Sequence, residues 1–166
     1  LIPFARGHER SRFQDDVIQE AEILAAGGYR EVVLTGVNIG QYRQDALDLV
    51  GLIARLEKVE ELERIRISSI EPTTITDALI DQMARSSKLC PYLHIPLQSG
   101  DDTILSSMNR PYNVKEFTLL VQRAMEAIPQ LGLGTDIMVG FPGETEEAFQ
   151  HTLDIARELP FSYFHV

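Results

Sequence analysis

The sequence predicts an α/β domain in which helices cover a parallel sheet, built either as a (β/α) barrel or as a doubly wound sheet. Two observations carry that expectation. Five short apolar runs recur along the chain, at Glu31–Val37, Arg64–Ile70, Tyr92–Leu97, Leu133–Val139 and Ser162–Val166, and each reads as a strand. Segments with helical spacing of apolar residues fill the intervals between them.

The first helix is expected over Phe13–Ala26, with Phe13, Val17, Ala21 and Leu24 on one face and Gly27-Gly28 as its stop. After the first strand, Leu49, Leu52, Ile53 and Leu56 line a second helix. Leu79, Ile80 and Met83 mark a third, which begins after Thr76. The next interval is longer. A short helical turn near Asp101–Ser107 precedes Asn113–Ile128, where Phe117, Leu120, Val121 and Ala124 share a face. Asn113 with Glu116 has the form of a capping box. The last helix, Thr145–Glu158, is expected to bury Phe149, Leu153 and Ala156. Glu144, Glu146 and Glu147 crowd its start, which suits the positive end of the helix dipole. The apolar run Ile137–Val139, bounded by Gly140 and Pro142, reads as a strand buried on both faces.

With 166 residues, 44% hydrophobic and 24% charged, the chain has the length for one domain with a real core. Lys and Arg number 15 against 25 Asp and Glu, a formal net charge of −10. That balance argues against strong nucleic-acid or anionic-membrane binding by this piece alone. No apolar run approaches a membrane span and no signal-peptide pattern opens the chain, so no membrane partner is expected. The one cysteine, Cys90, leaves no disulfide framework, which points to the cytoplasm. The chain opens on Leu1 without an initiator methionine and stops at Val166 inside a strand pattern. A fragment of a larger protein is expected.

In a parallel sheet every strand's carboxyl end lies on one face of the domain. Those ends read Thr35-Gly-Val-Asn38, Ser68-Ser-Ile-Glu-Pro72, Gln98-Ser-Gly-Asp-Asp102 and Gly140-Phe-Pro-Gly-Glu144. Four turns rich in glycine and small polar groups on one rim describe a ligand site. Asn38, Gln98 and Ser99 can hydrogen-bond hydroxyls, and Glu71 suits an ammonium or a ribose. Bare backbone at Gly36 and Gly140 permits close approach. The set suits a polar, nucleoside-like ligand. No GxGxxG or Walker lysine is present. Lys58, Lys88 and Lys115 lie away from the strand ends, which argues against Schiff-base chemistry. No histidine pair has metal-ligand spacing, and His94 reads as a packed core histidine. Cys90, ahead of its strand, reads as a small buried hydrophobe. Arg6, Arg10 and Arg12 form a basic cluster suited to phosphate contact, or a solvated loop paired to Glu9 and Asp15 or Asp16.

Several long segments in fixed order resemble one family, the radical S-adenosylmethionine methylthiotransferases that modify tRNA. They are Pro3-Phe-Ala-Arg-Gly7 with Glu9-Arg-Ser-Arg12, Leu34-Thr-Gly-Val-Asn-Ile-Gly40, Ser68-Ser-Ile-Glu-Pro72, His94-Ile-Pro-Leu-Gln-Ser-Gly-Asp-Asp102, Met108-Asn-Arg110 and Asp136-Ile-Met-Val-Gly-Phe-Pro-Gly-Glu-Thr145. Within the family, the wording at Leu34–Gly40 and Ser68–Pro72 looks most like the branch acting on N6-threonylcarbamoyladenosine. The resemblance implies a partial (β/α) barrel of the radical SAM type, of about five parallel strands, with S-adenosylmethionine across their carboxyl ends. It implies a 4Fe–4S cluster held by cysteines spaced Cys-x3-Cys-x2-Cys, and radical chemistry that installs a methylthio group on C2 of the adenosine next to the anticodon. A second cluster in a preceding domain is associated with sulfur insertion, another S-adenosylmethionine supplies the methyl, and a following small β-barrel helps bind tRNA.

On that pattern, residues 1–166 are the radical SAM core alone. The cluster cysteines, the first barrel strand and both flanking domains fall outside it, so the fragment by itself is expected to be inactive. It contains neither catalytic residues nor metal ligands of the family. Gly36 and Asn38 match the loop that meets the cofactor's methionine portion. Ser69 and Glu71 match polar contacts deeper in the barrel mouth, Gln98 and Ser99 the ribose side, and Ile137 with Gly140 the adenine side. Arg110, after Met108-Asn109, is placed to reach a carboxylate or an RNA phosphate.

Other readings remain open. The isopentenyladenosine or ribosomal-protein branch of the same family shares the barrel. A non-redox isomerase or lyase would use Glu71, Asp101 or Asp136 as acid or base, with a raised carboxyl pKa. A non-catalytic binding module would show a broad exposed apolar or basic face. Unpaired edges on the first and last strands predict weak self-association.

Overall fold

The computed structural model describes Gly7 and residues 10–166. Five strands run parallel: β1 (Glu31–Leu34), β4 (Arg64–Ile67), β5 (Tyr92–His94), β6 (Gly132–Asp136) and β7 (Tyr163–His165). β1 pairs with β4, and β6 pairs with both β5 and β7. The two ladders are stitched together just ahead of β5. There Ile65 N–H donates to the Lys88 carbonyl and Cys90 N–H to the Ile65 carbonyl, each at 2.8 Å. Spatial order therefore follows chain order, as in the wall of a barrel, whereas a doubly wound sheet reverses direction at its centre. Among the described residues the wall does not close: β1 and β7 each keep one edge unpaired.

The faces of the wall settle the same point. Ile65, Ile67, Leu93, Leu133 and Thr135 are buried toward the helices. The alternate positions include Glu31, Arg64, Arg66, Tyr92, His94 and Asp136, which contact one another across the strands, with Val33 and two glycines among them. Glu31 accepts from Arg64 Nε at 2.7 Å and Arg66 Nε at 2.9 Å, and these bonds hold its carboxyl below the usual range. Arg66 lies over the Tyr92 ring, 5.8 Å from its centroid. His94 Nε2 meets Asp136 Oδ1 at 2.9 Å. His94 thus belongs to the polar concave face and not to the apolar core.

The first four parallel strands stop three residues before the apolar runs do, and the last stops one residue before. Ile70, Ile95 and Leu97 remain almost wholly buried although the backbone there is irregular, so burial rather than pairing sustains the pattern. The run after β6 departs further. Ile137 is buried, but Met138 and Val139 are each 48% exposed, so this is not a strand covered on both faces. A short hairpin, β2 (Arg43–Gln44) and β3 (Leu47–Asp48), was not legible in the sequence. Its turn places Asp45 at φ 53 with Ala46 beside it, outside the usual Asn-Gly or Asp-Gly signal.

Among the described residues six helices follow the expected order: α1 (Gln14–Ala26), α2 (Leu49–Leu56), α3 (Asp77–Arg85), α4 (Asp102–Ser107), α5 (Val114–Ala127) and α6 (Glu146–Glu158). α2, α3 and α5 bury the predicted faces. The outer two are rolled. α1 rests on Ala21 and Ala25 while Phe13 stands 66% exposed, because the small residues let the helix approach closely. α6 buries Ala148 and Thr152, and Phe149, Leu153 and Ala156 are only half-buried.

The capping box of α5 is formed. Asn113 Oδ1 accepts from Glu116 N–H at 2.8 Å, and Glu116 Oε2 accepts from Asn113 N–H at 3.0 Å. Asn113→Ala is expected to lower the unfolding free energy by about 1 kcal/mol, measurable by urea titration, with Asn113→Ser retaining most of it.

Candidate functional site

Two of the four strand-end turns, Thr35–Asn38 and Ser68–Glu71, line one open cavity of about 570 Å³, with Pro96 from the segment after β5 as its third wall. Each turn is held for a local reason. After β1 the chain enters a 3-10 turn at Ile39–Gln41, where Gln41 N–H reaches the Asn38 carbonyl at 3.1 Å. Gly40 leaves no room for a Cβ against Thr74 of the following turn, so the two turns rest on each other. After β4, Ser68 N–H donates to the Leu34 carbonyl and Ile70 N–H to the His94 carbonyl, both at 3.0 Å. Tyr112 supports the third wall by donating to the Pro96 carbonyl at 2.9 Å, and burial pushes its hydroxyl up to about 12.

Asn38 lines the cavity, and its Oδ1 is buried with no hydrogen-bond partner. A buried acceptor left unpaired is costly, so this atom asks for a donor from a ligand. Gly36 has nothing nearer than 3.8 Å to the position of an added Cβ, so its bare backbone opens directly onto the space. Glu71 is half-buried and pairs with Arg110, whose Nη1 lies 3.2 Å and 3.4 Å from its two oxygens. Arg110 reaches this place from the turn after α4, where Asn109 adopts φ 55 and Arg110 N–H binds the Leu105 carbonyl at 2.9 Å.

The remaining predicted positions sit at the same end of the sheet but outside that cavity. Gln98 has φ 69 and is fixed to the next segment on both sides: its N–H donates to the Asp136 carbonyl and its carbonyl accepts from Met138 N–H, each at 2.8 Å. Ile137 bridges Gln98 and receives support from β7 through the His165 carbonyl at 2.8 Å. Gly140, at φ 73, donates to Glu144 Oε2 at 2.6 Å, and Glu144 Oε1 is buried without a partner. Ser99 is not brought to the cavity. It is fully buried and its hydroxyl meets Thr152 of α6. The sequence did not single out Thr152 or His151, because a threonine and a histidine on an outer helix carry no motif of their own.

The basic cluster is divided. Arg6 lies outside the described residues. Arg10 is exposed, and Arg12 pairs with Glu20 on α1, not with the nearer acids. Its carbonyl is tied to Tyr42 Oη at 2.9 Å.

A nucleoside sulfonium fits the cavity through the Asn38 oxygen, the open Gly36 backbone and the Glu71 carboxylate. An iron–sulfur cluster does not fit the residues present. Cys90 is buried ahead of β5, and among the described residues no three His, Cys, Asp or Glu side chains gather. Acid–base barrel chemistry is disfavoured at Asp101, where hydrogen bonding to His151 holds the carboxyl below its ordinary value. No helix among the described residues is long and apolar enough to cross a membrane.

The sequence matches the family model of the radical SAM superfamily over residues 2–156. It is 44% identical over 169 aligned positions to the threonylcarbamoyladenosine tRNA methylthiotransferase MtaB of Bacillus subtilis, covering all of this chain and 38% of that protein. It is 42% identical over 164 positions to the tRNA-2-methylthio-N(6)-dimethylallyladenosine synthase of Carboxydothermus hydrogenoformans, covering 97% of this chain and 37% of the relative. The chain therefore spans little more than a third of these relatives, which stand at nearly equal distance. Among solved structures, coproporphyrinogen III oxidase (HemN) of Escherichia coli, a radical SAM enzyme, aligns with a TM-score of 0.62 and 20% identity over 93% of this chain and 38% of that one. That likeness concerns the fold.

Proposed function

Because the chain belongs to the radical SAM superfamily, we propose that it forms the S-adenosylmethionine-binding core of a longer tRNA methylthiotransferase. The enzyme adds a methylthio group to C2 of an adenosine beside the anticodon, in the cytoplasm, and the nucleoside is N6-threonylcarbamoyladenosine. Support for that choice is the wording of Leu34–Gly40 and Ser68–Pro72. Support for the cofactor is one observation above the rest: a buried, unpartnered acceptor, Asn38 Oδ1, on a residue that lines the cavity at the strand ends.

S-adenosylmethionine bound here would supply the deoxyadenosyl group on which this chemistry draws, and a second molecule of it the methyl. The chain's own residues bind and orient it. Asn38 accepts a donor, Gly36 admits the ligand against bare backbone, and Ser69 and Glu71 offer polar contacts to its charged end. Gln98 shapes the ribose side while Ser99 holds its turn from within the protein, and Ile137 with Gly140 bounds the adenine. Arg110 neutralises Glu71 in the free protein and is free to turn toward a carboxylate or phosphate when the ligand takes its place. Arg6, Arg10 and Arg12 serve tRNA phosphates. Cluster thiolates and the main RNA-binding surface come from other parts of the enzyme. The open edges of β1 and β7 give weak self-association in this chain alone.

The test is calorimetric titration of the chain with S-adenosylmethionine. Asn38→Ala is expected to weaken binding about tenfold, the size of one hydrogen bond to a buried acceptor. Heat-free titration of the unsubstituted chain, or equal affinity in the variant, would sink the cofactor assignment. Nucleoside analysis of tRNA from cells lacking the full enzyme identifies the substrate: loss of methylthio-threonylcarbamoyladenosine is expected, and loss of the dimethylallyl form overturns the choice.

A further inference from the structure

We propose that Thr152 and His151 of α6 are positioning residues that set the Gln98–Gly100 turn for the cofactor, an inference that rests on the reading above. The starting point is Gln98. A non-glycine residue at φ 69 is uncommon and persists only where its surroundings over-determine it. The β6 side fixes its own N–H and carbonyl, but the turn that follows is fixed by α6.

The fastening engages three successive residues. Ser99 turns inward with no exposure and accepts from Asp101 N–H at 3.2 Å. Gly100 N–H donates to Thr152 Oγ1 at 2.9 Å. Asp101 Oδ1 accepts from Thr103 N–H at 2.9 Å and Ile104 N–H at 3.1 Å, and Oδ2 meets His151 Nδ1 at 2.9 Å. The hydroxyl arithmetic assigns each role. Thr152 Oγ1 gives its single proton to the Ala148 carbonyl at 3.2 Å, so it accepts from Gly100 and, at 3.4 Å, from Ser99. Removing that one oxygen leaves both the Gly100 N–H and the Ser99 hydroxyl proton without an acceptor. The backbones themselves touch, since a Cβ on Gly100 would lie 2.6 Å from Thr152 Cα. α6 also begins immediately after the Gly140–Glu144 loop. One rigid element therefore holds two of the four strand-end turns in register.

The same contact gives the turn a pH dependence. His151 faces Asp101, and Glu147 and Asp154 on its own helix add to the negative field. These raise its imidazole above the usual histidine value, while the His151 bond lowers Asp101. The charged pair is whole below the raised His151 value and above the lowered Asp101 value. It loses one charge as pH rises through the first, and the other as pH falls through the second.

The experiment compares the unsubstituted chain with Thr152→Val, Thr152→Ser and His151→Ala. It measures amide hydrogen exchange at Gly100 and Asp101, the Gln98 backbone chemical shifts, and S-adenosylmethionine affinity against pH. Thr152→Val is expected to speed Gly100 exchange by about tenfold or more and to shift Gln98 away from its left-handed values, with Thr152→Ser restoring both. His151 is exposed, so His151→Ala folds and keeps the inference testable should Thr152→Val not fold. It is expected to flatten the loss of affinity seen above the His151 pKa. Unchanged Gly100 protection and Gln98 shifts in both Thr152→Val and His151→Ala overturn the proposal, as does ligand affinity identical to the parent chain's at every pH. Should the unsubstituted chain take no S-adenosylmethionine while exchange and shifts respond to α6, the control of the turn stands and the cofactor reading is what fails.

Discussion

Phe117→Ala is expected to lower the unfolding free energy by about 3–5 kcal/mol, the largest loss from any single side chain of this domain. Phe117 is fully buried in the first turn of α5, among side chains that are themselves close to zero exposure. Its ring sits 6.3 Å from Tyr112 and 6.4 Å from Phe161, and Phe161 packs edge-on at 5.2 Å against Phe164 of β7. The aromatic chain thus joins the turn that supports Pro96 to the last strand of the wall. Truncation leaves a cavity that neither end can fill without losing its own contacts. A domain of this class has a total stability of about 5–15 kcal/mol, so the loss is a large share of it and the unfolding midpoint should fall clearly. Phe117→Leu restores most of the volume and should cost less than about 1.5–2 kcal/mol. Guanidinium unfolding of the pair decides: a loss under about 1 kcal/mol for Phe117→Ala would mean that the site relaxes and that the aromatic chain is not a structural tie.

How much of this was legible in the sequence depends on where each residue's partners lie. α2, α3 and α5 were readable because their partners are the sheet itself, so the apolar period alone fixes the buried face, as at Leu49, Leu52, Ile53 and Leu56. α1 and α6 flank the wall and were read less well: Ala21 is buried as read but Phe13 is exposed, and the buried face of α6 lies one position before the one read. Their orientation is set by particular close contacts, the Ala21–Ala25 edge in one case and Thr152 against Gly100 in the other, and not by hydrophobic content. The site divides in the same way. Asn38, Glu71 and Gly36 were visible as polar or bare groups after apolar runs, and the parallel sheet brought them together. Ser99 carried the same signal but has the opposite orientation, because the turn is anchored to a helix some fifty residues further along, at Thr152. A one-dimensional pattern gives the end of the sheet on which a residue lies. The direction of its side chain comes from partners distant in sequence.

Gly100→Ala is the second large effect, and here space rather than backbone freedom is decisive. The added methyl would stand 2.6 Å from Thr152 Cα, 2.7 Å from the His151 carbonyl oxygen and 2.9 Å from its carbon. All three are backbone atoms of α6, so no side chain can swing aside to relieve the clash. Either the helix or the turn has to move, and both the Gly100–Thr152 and Asp101–His151 bonds lengthen together. Overpacking and two weakened hydrogen bonds together predict a loss of about 2–4 kcal/mol, with S-adenosylmethionine affinity falling in parallel. Gly36→Ala is the matched control. The nearest atoms to its added methyl are 3.8 Å away, an ordinary contact, so its unfolding midpoint should equal that of the parent chain while the methyl intrudes on the cavity. The two alanines therefore separate fold from site. Gly100→Ala should be costly in thermal unfolding and in binding, Gly36→Ala in binding alone. A Gly100→Ala chain that melts like the parent would show that the turn does not rest on α6.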